Sequence, residues 1–262
     1  MQTPDDNKTI EFNYGKSVFP LLSCERDEKG LLQDPKFLGT GFFAVIEGFP
    51  IIISAKHVLG GSYDRKEELF IATRYGAKSV LLLLGGVVEH ATLDIAFYVL
   101  EPEYYKKHQD EFRPIPIVYE SLSVGMDVST FGFPNSLVVR ESGNESPVIE
   151  IDQYFFKGYI CNIIDSTGIG GTKKSYLVNF PAMSGISGAP LLTLLRGEVV
   201  CVGYMFQERS ISQKVDEKQI ELNGQEVSIP VYQTYTFGVA CDAHPLIEVQ
   251  KLLAGAPKGP KL

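Results

Sequence analysis

The chain has only four cysteines, at 24, 161, 201 and 241. No two are spaced as C-x-x-C, and none stands beside a histidine in a zinc pattern, so neither a sequence-evident metal site nor a disulfide framework is expected. Cys201 and Cys241 lie within the apolar runs EVVCVGYMF and TFGVACDA, where buried free thiols are expected. No cysteine has a plausible catalytic histidine nearby in sequence, which argues against a thiol nucleophile. Basic charge is also scarce: 24 Lys and Arg against 32 Asp and Glu leave a formal net charge of −8. Nucleic-acid binding wants clustered Lys and Arg, so that class is set aside. No run approaches the ~18 apolar residues of a membrane span, and SVLLLLGGVV is short and broken by glycines. The opening MQTPDDNKTIEFNYGK has no basic n-region and no apolar h-region, so no secretory signal is expected and a reducing cytoplasm is the expected compartment.

What is present reads as many short strands. Hydrophobic residues make up 44% and charged residues 21%, enough for a sizeable core in one large domain or two small lobes. FLGTGFFAVIEGFPIIISAKHVL gives two β-rich runs joined by EGFP, a hairpin signal. ELFIATRY, KSVLLLLGGVV and LDIAFYVLE follow at strand spacing. EPEYYKKHQDEFRPIPI, near 101–116, opens and closes with proline and is expected to connect two lobes, with room for a short helix. A second series runs from GMDVSTFGFP through PVIEIDQYFFKGYICNII, SYLVNF, APLLTLL, GEVVCVGYMFQ and VSIPVYQTYTFGVAC. ELNGQEV carries an Asn-Gly hairpin cue. Leu246, Ile247, Val249, Leu252 and Leu253 share a helical face, placing a helix at about 244–254, stopped by Gly255 and Pro257. No repeat of fixed period is visible. The expected organisation is a single domain over 1–262, with an N-terminal lobe at about 10–100 and a C-terminal lobe at about 117–243.

FPAMSGISGAPLL, at 180–192, is the stretch with chemical potential. It is either an apolar strand with a glycine turn or the nucleophile loop of a hydrolase, and only the rest of the chain decides. His57 stands in IIISAKHVL, at the end of an apolar strand. Asp94 stands in TLDIAFYVL, at the mouth of another. Ser187 follows Gly185 and Ile186. A serine hydroxyl needs a base within hydrogen-bond reach to become nucleophilic. An imidazole titrates near neutrality, and a carboxylate fixes its tautomer. Gly185 and Gly188 permit a tight turn, so the amides of Gly185 and Ser187 are expected to point at one spot and hold an oxyanion. STGIGGTKKS (166–175) fails the phosphate-loop spacing and reads as a hairpin loop. His90, His108 and His244 are isolated and read as surface residues. No cofactor and no metal are expected.

In combination these elements resemble the chymotrypsin-like (trypsin-fold) serine peptidases, most nearly their disulfide-free, stand-alone trypsin-like and HtrA-type domains. The resemblance rests on GTGFFAV (39–45), SAKHVL (54–59), LDIAFY (93–98), VGMDVSTFGFP (124–134) and SGISGAPLL (184–192), with GEVVCVGYM and TFGVACDAHPLI similar to the last two barrel strands and closing helix. It covers roughly residues 38–254. It implies an all-β fold of two antiparallel six-stranded barrels with a C-terminal helix and a site in the cleft between them. It implies Ser187 as nucleophile, His57 as general base and then acid, Asp94 as orienting carboxylate, and the amides of Gly185 and Ser187 as oxyanion hole. Ser184 lacks the G-[GA]-P continuation.

Two positions depart from the digestive enzymes. Ile186 replaces the aspartate that pairs with a newly cut N-terminus, so activation by propeptide cleavage is not expected. Pro181 and Ala182 stand where an acidic specificity residue would fall, so an apolar or small residue is expected before the scissile bond. Tyr204, Met205, Phe206 and Gly238 are expected to line that pocket and its flanking strand. The expected substrate is a protein or peptide bound extended along the strand edge near 203–206, with no nucleic acid or membrane partner. No PDZ segment is expected, so targeting falls to the polar loops 62–68, 135–147 and 208–229, the N-terminal arm, or an activating or targeting partner protein. The alternatives are a catalytically silent or activator-dependent module on the same fold, and an acyl-ester hydrolase.

Overall fold

The computed structural model describes residues 15–28, 32–60, 68–75, 78–84, 87–100, 102–134, 137–139, 148–151, 153–164, 174–222 and 225–254. Residues 62–67 of the first proposed targeting loop, most of 135–147 and most of 166–175 lie outside them, as do the first 14 residues and Asn223-Gly224.

Apolar, β-branched runs in the first hundred residues form one antiparallel sheet. Its strands are β1 (Val18–Arg26), β2 (Leu32–Ile46), β3 (Phe49–Ser54), β4 (Glu68–Tyr75), β5 (Lys78–Leu83), β6 (Val87–Glu89) and β7 (Ala96–Val99), in the order β5-β4-β1-β2-β3-β7-β6. The EGFP hairpin forms with Ile46 opposite Phe49. Its two central residues, Glu47 (φ 52°) and Gly48 (φ 83°), both take the positive φ of a tight turn that matches strand twist. All of β3 after Phe49 is buried, which is why it reads as a continuous apolar run rather than an alternating one. It ends at Ser54, and the chain passes through Ala55 into a one-turn helix, α1 (Lys56–Gly60).

The second half closes into a ring. β8 (Asp127–Gly132), β11 (Tyr154–Ile164), β12 (Ser175–Val178), β13 (Pro190–Leu195), β14 (Glu198–Leu222) and β15 (Gln225–Asp242) form a closed barrel in the order β11-β12-β15-β14-β13-β8. β9 (Leu137–Val139) and β10 (Val148–Glu150) pair separately. The connector holds the expected short helix, α2 (Pro102–His108), and a 3-10 turn at Gln109–Glu111. The chain's last described element is α3 (His244–Ala254), over the span read from its apolar face. Val128, Ile160, Tyr176, Ile186, Leu191, Val202 and Met205 fill the barrel. A second cluster joins the halves: Phe43, Ile52 and Phe97 of the first sheet belong with Tyr204, Cys241, Leu246 and Val249.

The architecture is thus mostly β with a closing helix, as the patterning implies. It differs from two equal six-stranded rings: the described strands of the first half make a seven-stranded sheet. A further difference lies at 208–229, where a polar loop is expected. β14 and β15 instead stay paired beyond the barrel, from Gln207 opposite Val239 to Leu222 opposite Gln225, with one register shift between Lys214 and Asp216. Polar composition misleads there because the arm has no core to cover. Val215 and Tyr232 are 50% and 59% exposed.

Candidate functional site

His57 is the second residue of α1. The N–H of Val58 donates to Ala55 O, and the Val58 side chain is buried, so the turn sits on the sheet and leaves the imidazole 46% exposed. Asp94 comes from the loop between β6 and β7. Its carboxylate grips His57 twice: Oδ1 accepts the His57 backbone N–H at 2.8 Å, and Oδ2 meets Nδ1 at 2.7 Å. A carboxylate here only accepts, so Nδ1 carries the proton and Nε2 is left as the basic atom.

Two supports of this pair were not legible as such. His90, which reads as an isolated surface residue, organises the Asp94 loop: its Nδ1 accepts the N–H groups of Thr92 and Leu93 at 3.2 and 3.0 Å, and its own N–H donates to Ile95 O at 3.0 Å. Lys56 Nζ donates to His90 O at 3.0 Å, tying that loop to α1. The second support crosses from the barrel. The Tyr204 hydroxyl donates to the Asp94 backbone carbonyl at 2.8 Å. Burial pushes the Tyr204 phenol well above its usual range, with Cys241 and Asp94 adding to the shift, so it remains a donor.

Ser187 stands in a loop held from both sides. Thr40 N–H donates to Ser187 O at 3.1 Å, and Gly188 N–H donates to Met205 O at 2.8 Å. Thr40 also donates its hydroxyl to Gly185 O at 2.6 Å, and its carbonyl accepts Ser54 Oγ at 2.7 Å. Thr40 lies in the quoted GTGFFAV, but nothing in the sequence pairs it with a loop 145 residues away. Gly185 (φ 95°) and Gly188 (φ 85°) occupy the left-handed region that glycine enters without cost. They also have no room: a Cβ on Gly185 would lie 2.6 Å from a Phe37 ring carbon, and one on Gly188 would overlap Ser54 Oγ and Thr40 O.

Ile186 packs into the barrel, 1% exposed. Apolar burial of Ile186 therefore anchors this loop to the barrel core. Within the loop the N–H groups of Ile186, Gly188 and Ala189 donate to Met183 O, Met205 O and Ile186 O. Those of Gly185 and Ser187 have no acceptor among the described residues.

Phe206 is where the two halves of the site meet. The Ser187 hydroxyl donates to Phe206 O at 3.3 Å, and the Phe206 ring stands edge-on to the His57 ring with centroids 5.6 Å apart. No hydrogen bond joins Ser187 to His57 in this arrangement. The other residues expected to line a pocket divide. Pro181 is exposed. Ala182, Met205 and Gly238 are buried in the barrel, with Met205 Cε 2.8 Å from a Cβ placed on Gly238. Tyr204 is fully buried and faces Asp94, so it braces the carboxylate loop instead of lining a pocket.

Among the described residues no group of three or more His, Cys, Asp or Glu is placed to hold a metal. No described helix is long and apolar enough to cross a membrane. Cys24, Cys201 and Cys241 are buried, and burial raises the Cys201 thiol to about 12, against the partial lowering by its bond to Gly203 O. A thiol so protonated is a poor nucleophile. No family model matches the chain, and no curated protein matches it.

Proposed function

We propose that the protein is a serine endopeptidase of chymotrypsin-like, two-barrel type, with Ser187 as nucleophile, His57 as general base and acid, and Asp94 as its orienting partner. The observation that carries this reading is the two-point grip of Asp94 on His57, which leaves Nε2 basic, beside a loop whose Gly185 and Ser187 amides have no acceptor among the described residues. In the reaction, Ser187 Oγ attacks the peptide carbonyl carbon as Nε2 takes its proton. The carbonyl oxygen becomes an oxyanion facing the two amides. Nε2 then protonates the leaving amine, the C–N bond breaks, and an acyl-enzyme remains. Water, deprotonated by Nε2, releases the acid and restores Ser187.

The resting bond from Ser187 Oγ to Phe206 O favours a conditional form of this enzyme. An extended substrate pairing with β14 at Phe206 would offer its own N–H to that carbonyl. The serine hydroxyl, displaced from it, would then turn to His57. Activity would thus be gated by the substrate, or by a partner that orders the same strand, in keeping with an intracellular peptidase of narrow specificity.

A fluorophosphonate probe should label the protein at Ser187, and peptides with a small or apolar residue before the scissile bond should be cleaved faster than their basic counterparts. Labelling should vanish in Ser187→Ala and fall sharply in His57→Ala. A protein that neither labels nor cleaves peptides, alone or with cell lysate added, defeats the reading. Turnover of simple esters without any peptide turnover would favour an ester hydrolase instead.

A further inference from the structure

The arm built by β14 and β15 beyond the barrel has two outer edges, and they are not equivalent. On β15, Gly238 donates its N–H to Phe180 O and Asp242 to Lys174 O, both away from β14. Even-numbered residues of β15 therefore turn their backbone polar groups outward, and the ladder runs on through β15 without a bulge on that strand. Residues paired across an antiparallel ladder turn the same way. Glu208, Ser212 and Lys214, opposite Gly238, Thr234 and Tyr232, thus present N–H and C=O to the outer edge of β14. By the same count Pro230 falls on the outer edge of β15 and removes a donor there, the usual way of closing an edge to strand addition.

The β14 edge has no proline or glycine between Phe206 and Lys214. Past Tyr204, β14 pairs only with β15 among the described residues. This edge starts at Phe206, whose carbonyl lies 3.3 Å from Ser187 Oγ. It ends at the register shift between Lys214 and Asp216. At about 3.3 Å per residue that is a track of roughly 25 Å. A polypeptide whose first acyl-side residue bonds Phe206 O, running antiparallel to β14, would bring its third residue to Glu208, its seventh to Ser212 and its ninth to Lys214.

We propose that the outer edge of β14 from Glu208 to Lys214 is a docking strand for the extended segment of a polypeptide substrate on the N-terminal side of its scissile bond, reaching to about the ninth residue. This rests on the reading of Ser187 as nucleophile. It selects substrates that offer some nine extended residues before the cleaved bond, such as a chain terminus or an unfolded segment, because main-chain pairing accepts many sequences but only an unpaired strand. A folded loop does not reach along the arm.

The test uses fluorescein-labelled peptides of alternating Thr and Gln ending in Phe, three or ten residues long, with binding to Ser187→Ala read by anisotropy. The ten-residue peptide should bind at least ten-fold tighter. Adding Ser212→Pro, which removes an outward N–H together with the Ser212–Thr234 hydroxyl bond across the ribbon, should erase that gain; Ser212→Ala, which loses only the hydroxyl bond, should keep it, and neither variant should change binding of the short peptide. In the protein with Ser187 intact, kcat/KM for the same peptides carrying a C-terminal aminocoumarin should show the same length dependence, again lost in Ser212→Pro. Equal binding and turnover at both lengths overturns the docking strand and leaves the peptidase reading standing. Length- and Ser212-dependent binding without turnover or fluorophosphonate labelling keeps the strand and defeats the peptidase. A gain only from residues added after the scissile bond, or arm-mediated dimers broken by Ser212→Pro, also overturns the proposal.

Discussion

His57 and Asp94 reach the site from short connections on a seven-stranded sheet, whereas Ser187 reaches it from a loop between two strands of a closed barrel. In the first half, α1 is one turn long and the imidazole is 46% exposed. Its order comes from a local network of Asp94, His90 and Lys56. In the second half, Ile186, Gly188 and Ala189 are all buried. The loop's backbone is held by Thr40 on one side and Met205 on the other. The imidazole is thus held by a local, solvent-facing network, while the hydroxyl-bearing loop is clasped by both halves of the molecule. In such a design a resting bond from Ser187 to Phe206 is reversed by rotating one side chain, not by rebuilding the loop.

The sharpest way to break this contrast is to remove the base. His57→Ala should lower peptide turnover by roughly 10³-fold or more with unchanged thermal unfolding, since its contacts are local and exposed. Gly188→Ala attacks the pinned side: a left-handed φ and overlap with Thr40 O and Ser54 Oγ should cost roughly 3 kcal/mol or more, seen as a fall in denaturation midpoint together with loss of fluorophosphonate labelling. Tyr204→Phe tests the tie between the halves. Loss of its bond to Asp94 O should cost about 1–2 kcal/mol and lower kcat more than it raises KM.

Alkaline titration is a gentler probe of the barrel side. Cys201 ionises near 9 in an unfolded chain but only at about 12 when buried. Above pH 9 the unfolded state therefore holds fewer protons than the folded one. Stability, complete below pH 9, should fall as pH rises toward 12, by at most about 1.4 kcal/mol per pH unit. Denaturation midpoints measured between pH 8 and 10 should fall less in Cys201→Ala. The smallest effect is expected on the arm, where Lys214→Ala should change stability by no more than about 0.5 kcal/mol.

The sequence revealed each of the three chemical groups because each ends or interrupts an apolar strand, a pattern that survives in one dimension. It also revealed the EGFP turn and the helix at 244–254, which depend on local preference and a single periodic face. Thr40, His90 and Tyr204 were not legible in their roles, because each acts on a backbone group made available by a fold not yet assembled. Met205 and Gly238 lie within a barrel that only strand closure defines. The arm was missed for a different reason: a ribbon wet on most of its surface has the composition of a loop, and only continuous pairing distinguishes it.

The clasp on the Ser187 loop has a consequence for synthesis. Its clamps are Thr40, made early, and Met205, which is itself held by pairing with Ala240. A nascent chain on the ribosome therefore carries its imidazole and carboxylate long before the serine loop can be fixed. Until the strand containing Ala240 has emerged and docked, the Ser187 loop of the unfinished polypeptide lacks one of its two clamps.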